Sequence, residues 1–273
     1  MRPLGINLHA VKGLTDDGYL KKIAALGFTR TFTGVHSEER QTSIAALCET
    51  YGIVCETLHA PFSHITDIWL PDDNGLLSEL FTCIDRCLIA GAKIAVVHLS
   101  SGQNPPPITD IGRERFARLV DYASAKNVKV AFENQRMLAN LAWALETFPP
   151  DVAGFCWDCG HESCFTPGRH YMPLFSDRLI CTHLHDNSGV FNADNHRLPF
   201  DGAIAWESVA DAIRTSGYEG SLMLETGNTA PNGTGGFYDD LTPEEYLEKA
   251  WVAAEHLRAM TDGKPLSHGN ETI

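Results

Sequence analysis

The chain has 273 residues, of which 44% are hydrophobic and 21% charged. This length and balance are typical of a globular protein that buries a large core in one domain. Its 35 aspartate and glutamate residues outnumber its 21 lysine and arginine residues, so the formal net charge is −14. A protein that binds duplex nucleic acid normally presents a basic face to the phosphates, so this charge argues against nucleic acid as the main partner.

The sequence shows no segment typical of a membrane or secreted protein. No apolar run approaches the roughly 20 residues needed to cross a bilayer, which predicts no membrane partner. Met1-Arg2-Pro3 leads directly into a predicted strand that is too short for the apolar region of a signal peptide. The eight cysteines lack the spacing of a disulfide-stabilised small domain. We therefore expect a cytoplasmic protein with reduced thiols, and homo-oligomerisation stays open.

Short apolar runs, typical of buried strands, alternate with amphipathic stretches, typical of helices, along the whole chain. The predicted strands cover residues 4–8, 28–32, 53–58, 93–99, 128–132, 152–157, 180–184 and 221–224. The predicted helices cover residues 17–26, 38–51, 76–90, 110–126, 138–148, 206–216 and 243–260. Gly27, Gly52 and Gly91 indicate three helix ends, and Thr242 with Glu245 forms a capping box at the last helix start.

Eight predicted strands, seven of them followed by a predicted helix and with no break in composition, predict a single (β/α)8 TIM barrel, an α/β fold. A doubly wound open sheet is the competing arrangement, but the count of eight and the near-regular spacing favour a closed barrel. We expect one domain over residues 1–273, with a frayed tail at 263–273. The glycine-rich segment 232–236 is predicted to be a flexible rim loop able to close over a ligand.

Polar residues stand where the predicted strands end, and in parallel barrels that edge carries the chemistry. Six of them each close a different strand: His59, His98, Glu133, Asp158, His183 and Glu225. Four more follow within a few residues on the same rim: His161, His185, Asp194 and His196. Taken singly, each has an ordinary explanation, and Asp158 in particular could cap the next helix.

Taken together, the ten side chains predict a divalent metal site. Gathering several carboxylates and imidazoles in a half-buried pocket without a cation would be costly. Imidazole and carboxylate ligands suit a borderline ion, so zinc or manganese is expected.

Two further groups of residues have alternative interpretations. Cys156 and Cys159 would face opposite sides of a strand, so we do not expect them to act as a redox or zinc-binding pair. Trp69, Phe62 and Trp157 could line a substrate pocket, but packing in the core or under a loop explains them equally well.

The ordered set of strand-end motifs resembles the xylose-isomerase-like TIM barrels. The motifs are His59-Ala-Pro-Phe, Val96-Val97-His98, Phe132-Glu133-Asn134, Trp157-Asp158-x-x-His161, His183-x-x-Asp186, Asp194-x-His196 and Leu224-Glu225-Thr226. This superfamily includes sugar and sugar-phosphate isomerases and epimerases, and also the endonuclease IV repair enzymes. The resemblance extends over roughly residues 4–260.

The resemblance implies specific metal ligands. In epimerase-like members one divalent ion is held by the equivalents of Glu133, Asp158, His183 and Glu225, and the two glutamates serve as acid and base. Endonuclease-IV-like members add a second zinc at the equivalents of His59, His98 and Glu133. They hold a third at the equivalents of His161, Asp194 and His196. One to three ions are therefore expected.

Two positions depart from the epimerase pattern. His196 stands where an arginine is common, and Phe200 replaces the glycine of a Pro-Gly turn. The histidine favours a site with several ions, and the phenylalanine leaves the turn geometry open. His183 rather than His185 fits the ligand position, because family members place an acidic residue three positions later, here Asp186.

The expected function is a metal-dependent isomerase or epimerase in carbohydrate metabolism. It would act on a small sugar, a sugar phosphate or a related hydroxy-ketone by proton transfer at a metal-bound enediolate, with Glu133 and Glu225 as catalytic residues. The residues expected to contact the substrate are His161, His185, Trp69 and Arg197. The alternative is an endonuclease-IV-like phosphoesterase with several zinc ions. A barrel that binds a sugar without turning it over is the third possibility.

Overall fold

Eight parallel strands form one sheet in the computed structural model, which describes residues 1–228 and 236–263. The strands are β1 (Leu4–Asn7), β2 (Arg30–Gly34), β3 (Val54–His59), β4 (Ile94–His98), β5 (Lys129–Glu133), β6 (Ala153–Asp158), β7 (Leu179–His183) and β8 (Leu222–Leu224). They lie in the order β7-β6-β5-β4-β3-β2-β1-β8. Neighbours in the sheet are therefore also neighbours in sequence, apart from the β1–β8 pair.

The sheet closes on itself between β7 and β8. The backbone N–H of Leu184 donates to the carbonyl of Met223 at 2.9 Å, and the N–H of Glu225 donates to the carbonyl of Leu184 at 3.1 Å. These bonds join the two outer strands in parallel, as the bridge between Leu184 and Leu224 also shows. The predicted (β/α)8 barrel is confirmed, and the open doubly wound sheet is excluded.

Helices follow the strands around the outside of the barrel. They are α1 (Asp16–Leu26), α2 (Glu38–Tyr51), α3 (Leu76–Ala90), α4 (Asp110–Ala125), α5 (Leu138–Thr147), α6 (Cys159–Phe165), α7 (Met172–Phe175), α8 (Trp206–Thr215) and α9 (Pro243–Thr261). The predicted helix ends at Gly27, Gly52 and Gly91 are confirmed, and the Thr242–Glu245 capping box is present. Within the described part of the chain, no helix has both the length and the apolar character to span a bilayer.

The structure corrects several element boundaries. The strand predicted from residue 28 begins at Arg30, because the N–H of Phe28 completes the end of α1 by donating to Ile23 O at 3.0 Å. Two helices absent from the prediction, α6 and α7, lie between β6 and β7. The start of α6 is capped by Asp158, whose Oδ1 accepts the N–H of His161 at 2.6 Å.

Small side chains fill the barrel just below its carboxyl mouth. Val96, Ala131, Cys156 and Cys181 form a buried layer there, separate from the larger core between sheet and helices. Cys159 lies outside this layer on α6, and its thiol donates to the carbonyl of His185 at 3.6 Å. As expected, Cys156 and Cys159 do not form a pair. The predicted tail beyond Gly263 and the predicted rim loop at 232–235 lie outside the described residues.

Candidate metal centre

The strand register brings the predicted strand-end residues together at the carboxyl mouth. His98 on β4 is paired with Glu133 on β5, and Asp158 on β6 is paired with His183 on β7. Each pair therefore lies side by side on adjacent strands. These four side chains are almost completely buried, as is His59 at the end of β3.

Glu133 lies at the centre of this group and is surrounded by four imidazoles. Its Oε2 is 3.0 Å from His98 Nε2 and 3.2 Å from His59 Nε2. Its Oε1 is 3.2 Å from His161 Nδ1 and 3.4 Å from His183 Nδ1. Burial opposes the negative charge, but His183 and His98 keep the pKa of the Glu133 carboxyl well below its usual value. The Glu133 side chain is thus an anion shared by several potential ligands.

Four residues form what we call the central cluster: Glu133, Asp158, His183 and Glu225. Each offers one ligand atom, and these atoms all lie within 4.8 Å of one another. Glu225 follows β8, and its Oε2 is 3.1 Å from His183 Nδ1 without hydrogen-bond geometry. Burial raises the pKa of Glu225, but His183 outweighs it and lowers the pKa far below its ordinary value.

The central cluster contains buried polar atoms whose bonding capacity is unused. Asp158 Oδ2, His183 Nε2 and Glu225 Oε2 have no hydrogen-bond partner among the residues that the structure describes. Leaving such atoms unsatisfied costs about 1–3 kcal/mol each. Three carboxylates and one imidazole converging on a small volume would satisfy a divalent cation, so the residues fit the predicted metal.

A second cluster consists of His59, His98 and Glu133, whose ligand atoms also lie within 4.8 Å of one another. His59 Nδ1 donates to the carbonyl of Ala60 at 2.8 Å, and the other ring nitrogen, Nε2, faces Glu133. A backbone bond of this kind commonly fixes the orientation of a metal-binding histidine.

Four residues further out form the outer cluster: His161, His185, Asp194 and His196. His161 comes from α6, and the other three come from the segment after β7. Asp194 Oδ2 lies 3.2 Å from His196 Nε2 and 3.4 Å from His161 Nε2. Burial disfavours charge on both imidazoles, but Asp194 raises the pKa of His196 to about 9. Asp158 and Asp194 together raise the pKa of His161 well above its usual value.

Asp186 anchors the segment that carries this outer cluster. Its fully buried carboxylate accepts the backbone N–H groups of Asn187, Gly202 and Ile204 at 2.8–3.0 Å. It also accepts the indole N–H of Trp206 at 2.8 Å. The acidic residue three positions after His183 therefore has a structural role, since it draws both ends of the loop together.

The turn at Phe200 is strained, as its departure from glycine suggested. Phe200 has φ 74°, in the left-handed region that side chains other than glycine rarely adopt. Its ring stacks on His256 at a centroid distance of 4.4 Å and lies 5.4 Å from Trp206. Contacts with α8 and α9 hold the residue in this conformation.

Two of the predicted substrate contacts, Trp69 and Arg197, have surroundings that do not favour that role. Trp69 is only 1% exposed, packs against Phe116 and Trp143, and donates its indole N–H to Leu99 O at 2.7 Å. In the structure Trp69 therefore packs as a core residue. Arg197 lies over the ring of Phe237 at 3.8 Å, in a pocket lined by Asp201 and Lys249 rather than by the candidate ligands.

Two residues that line the mouth, Phe32 and Val35, were not assigned from the sequence. A cavity of about 470 Å³ beside the central cluster is bounded by Phe32, Val35, His59, Phe62 and Glu225. Phe62, which is 50% exposed, lies over the rings of His59 and His98 at 5.3 and 4.8 Å. Phe62 was considered as a pocket residue, and its place directly after His59-Ala60-Pro61 was the available signal.

Gln135 also lies at the mouth, and the sequence analysis did not identify it as a site residue. Its Nε2 lies 3.0 Å from His161 Nδ1 and 3.3 Å from His98 Nε2, between the outer and the second cluster. The signal was its position two residues after Glu133, on the same rim.

The fold is a closed parallel (β/α)8 barrel. The imidazoles and carboxylates gathered at its carboxyl mouth are suited to metal-assisted chemistry. The chain is a member of the xylose isomerase-like TIM barrel family, whose model matches residues 20–250. It is 35% identical over 231 residues to an uncharacterised protein, y4fM, of Sinorhizobium fredii (strain NBRC 101917 / NGR234). The match covers 81% of this chain and 65% of that relative, so the chain spans just under two thirds of its length.

Solved structures share the fold over almost the whole chain. D-psicose 3-epimerase from Clostridium cellulolyticum H10 superposes with a TM-score of 0.75 at 16% identity, covering 95% of this chain and 99% of that one. A xylose isomerase domain protein from Alicyclobacillus acidocaldarius superposes with a TM-score of 0.72 at 20% identity. The match covers 96% of this chain and 100% of that one. The 3-keto-D-glucoside 4-epimerase YcjR from E. coli superposes with a TM-score of 0.70 at 13% identity. The match covers 95% of this chain and 100% of that one. At these identities the likeness shows the fold alone.

Proposed function

We propose that this protein is a divalent-metal-dependent isomerase or epimerase of a small sugar, a sugar phosphate or a related hydroxy-ketone. The observation that carries the proposal is the central cluster, where two glutamates, an aspartate and a histidine offer ligand atoms within 4.8 Å of one another. Epimerases of psicose and of a ketoglucoside have the same fold, and this analogy supports the substrate class.

The residues of the central cluster divide into two roles in this proposal. Asp158 and His183 would mainly hold the ion. A divalent ion bound there would polarise a carbonyl group and its neighbouring hydroxyl. Glu225 is the glutamate that also borders the mouth cavity, and its side chain keeps 15% exposure whereas that of Glu133 has none.

Proton transfer falls to the two glutamates. Both have lowered pKa values, so both are ionised at neutral pH and can act as bases. One glutamate removes the proton from the carbon beside the carbonyl. The other glutamate, once it has taken up a proton from solvent, delivers it to the opposite face of the same carbon and inverts the configuration. Alternatively, the first glutamate returns the proton that it removed to the neighbouring carbon, which gives the isomer.

The test is solvent-deuterium incorporation into psicose, fructose and tagatose by Glu133→Gln and Glu225→Gln. We expect exchange to fall at least about 100-fold in each variant, the usual contribution of a positioned acid or base. Exposed Glu146→Gln is the control and should exchange at the wild-type rate. Metal content is measured alongside, and unchanged exchange in both metal-loaded variants would contradict the mechanism.

A second candidate function is a phosphoesterase with several zinc ions. The observation in its favour is that the second and outer clusters adjoin the central one, with Glu133 shared between two of them. Neighbouring metal ions commonly stabilise the attacking and leaving oxygens of a phosphate ester. About one retained ion per chain after dialysis supports the isomerase. Three tightly held zinc ions together with hydrolysis of bis(p-nitrophenyl) phosphate support the phosphoesterase.

The cellular setting remains a proposal as well. All eight cysteines, which lie within the described residues, are buried and free of disulfides, and this supports the expected reducing, cytoplasmic compartment. Whether the chain forms a homo-oligomer stays open.

A further inference from the structure

Cys156 is a buried thiol beside the central cluster, and the proposed function does not use it. The strand register pairs Cys156 with Glu133 on the neighbouring strand β5. Cys156 also lies two residues before Asp158 on β6, so both side chains point into the barrel. Trp157, between them, points outwards and donates its indole N–H to Glu162 on α6 at 2.9 Å. The thiol therefore lies one layer below the candidate ligands of the mouth.

The Cys156 thiol forms a group with two members of the central cluster. Its sulfur, one oxygen of Glu133 and one nitrogen of His183 all lie within 4.8 Å of one another. All three residues are at most 1% exposed. The group contains a nitrogen whose bonding capacity is unused, because His183 Nε2 has no hydrogen-bond partner in the described parts of the chain. We call this group of one sulfur, one oxygen and one nitrogen ligand the lower position.

We propose that the lower position is a sulfur-containing binding site for a soft divalent ion such as cadmium. A thiol binds such an ion as a thiolate, so the S–H bond breaks, a sulfur–metal bond forms and the proton passes to solvent. Soft ions prefer sulfur ligands, whereas manganese and magnesium prefer carboxylate oxygen. A hard ion is therefore held by the three carboxylates and the imidazole of the central cluster, and a soft ion is held lower in the barrel.

An ion in the lower position competes with an ion in the central cluster. Glu133 and His183 belong to both groups, so the soft ion takes two of the four central ligands. Glu133 is also one of the two residues proposed to transfer protons. Occupation of the lower position therefore inhibits the enzyme. This inhibition rests on the proposed function, whereas the binding of the soft ion does not.

Cys181 offers a competing arrangement for the same ion. It lies on β7, its register pairs it with Cys156, and both thiols belong to the same buried layer. An ion held between these two thiols would leave Glu133 and His183 free for a second ion. The two arrangements therefore differ in their response to Cys181→Ala and to excess manganese.

The experiment titrates the chelator-treated protein with cadmium and records the ultraviolet charge-transfer band from thiolate to cadmium. We expect this band in the wild type, in Cys181→Ala and in the control Cys159→Ser, since the Cys159 thiol lies outside the buried layer and donates to the carbonyl of His185. Cys156→Ala should abolish the band. Its cadmium affinity should fall by more than the roughly 10–100-fold typical of residues that only orient a ligand.

Manganese binding, measured by electron paramagnetic resonance, is the second readout. Cys156→Ala should bind manganese as tightly as the wild type, because the hard ion does not use the sulfur. In the wild type, excess manganese should remove the cadmium band, and cadmium should stop solvent-deuterium exchange.

Four results would overturn the inference: no band in the wild type, a band that persists in Cys156→Ala, a band that is lost in Cys181→Ala, or a band that excess manganese leaves unchanged. Equal losses of cadmium and manganese from Cys156→Ala would also overturn it, because the residue would then serve both positions alike. If the band behaves as expected but the wild type exchanges no deuterium with any of the ketoses, the proposed function fails and the cadmium site stands.

Discussion

His196 Nδ1 donates to the backbone carbonyl of Glu225 at 2.8 Å, so a residue of the outer cluster is bonded directly to a residue of the central one. This bond fixes the tautomer of His196 and directs its Nε2 towards Asp194. It also holds the backbone at the end of β8, from which the Glu225 side chain extends. The loop after β7 and the last strand of the barrel are thus positioned together.

The pKa shifts predict that the metal-free protein loses stability as pH rises and that a bound ion reduces this loss. In the metal-free protein, folding raises the pKa of His196 from 6.5 to about 9. The contribution of protonated His196 to the free energy of unfolding is fully present below pH 6.5 and is lost as pH rises through 9. The pKa of His161 is also raised, so this residue contributes in the same direction. The lowered pKa of Asp194 stabilises the folded protein above pH 3.8, and this contribution stays constant between pH 6 and 9.

A bound ion competes with these protons, so its stabilisation grows as pH rises. Melting temperatures at pH 6, 7, 8 and 9, with chelator and with zinc, measure the effect. We expect the metal-free protein to lose up to about 3 kcal/mol of stability over this range. The zinc-loaded protein should lose less stability, so the difference in melting temperature between the zinc-loaded and the metal-free protein should increase with pH. A gap that narrows towards pH 9 would contradict the assigned protonation states.

The strand-end residues could be predicted from the sequence because each follows an apolar run and the register of a parallel barrel then fixes their common edge. Glu133 and Asp158 follow this rule. Trp69 could not be placed, because a large aromatic residue in a loop has the same local pattern whether it faces a ligand or the core. The closeness of Gly160 and His185 depends on how α6 packs against the segment after β7, and no local pattern records it.

Asp186→Asn should loosen the loop that carries the outer cluster. An amide can accept at only one of its two terminal atoms, so some of the four N–H donors around Asp186 would lose their partner. We expect a loss of about 2–4 kcal/mol in the free energy of unfolding, together with weaker zinc retention. Chemical denaturation measures the change, and exposed Asp177→Asn should stay within about 0.5 kcal/mol of wild type. Equal stability of both variants would remove the anchoring role.

Phe62 and Trp69 should give opposite results when each is truncated to alanine. Phe62→Ala removes an exposed ring at the mouth, so substrate binding should weaken about 10-fold while stability changes by less than about 0.5 kcal/mol. Trp69→Ala opens a cavity in the core and should cost about 3–5 kcal/mol of stability. Thermal unfolding and KM are measured for both. A KM effect confined to Trp69→Ala would restore the original substrate assignment.

Glu133→Gln should disturb more metal than Glu225→Gln. Glu133 belongs to both the central cluster and the second cluster of His59 and His98, whereas the Glu225 carboxylate is grouped with His59 and His183 but not with His98. Elemental analysis after dialysis should show a greater loss of zinc from Glu133→Gln. Equal losses from the two variants would mean that the second cluster does not bind an ion of its own.

The most direct measurement is anomalous diffraction from crystals grown with zinc or manganese. The account predicts an anomalous peak about 2.0–2.2 Å from oxygen atoms of Glu133, Asp158 and Glu225 and from a nitrogen of His183. The absence of a peak at that position at saturating metal would contradict the central claim that a cation holds these four side chains together.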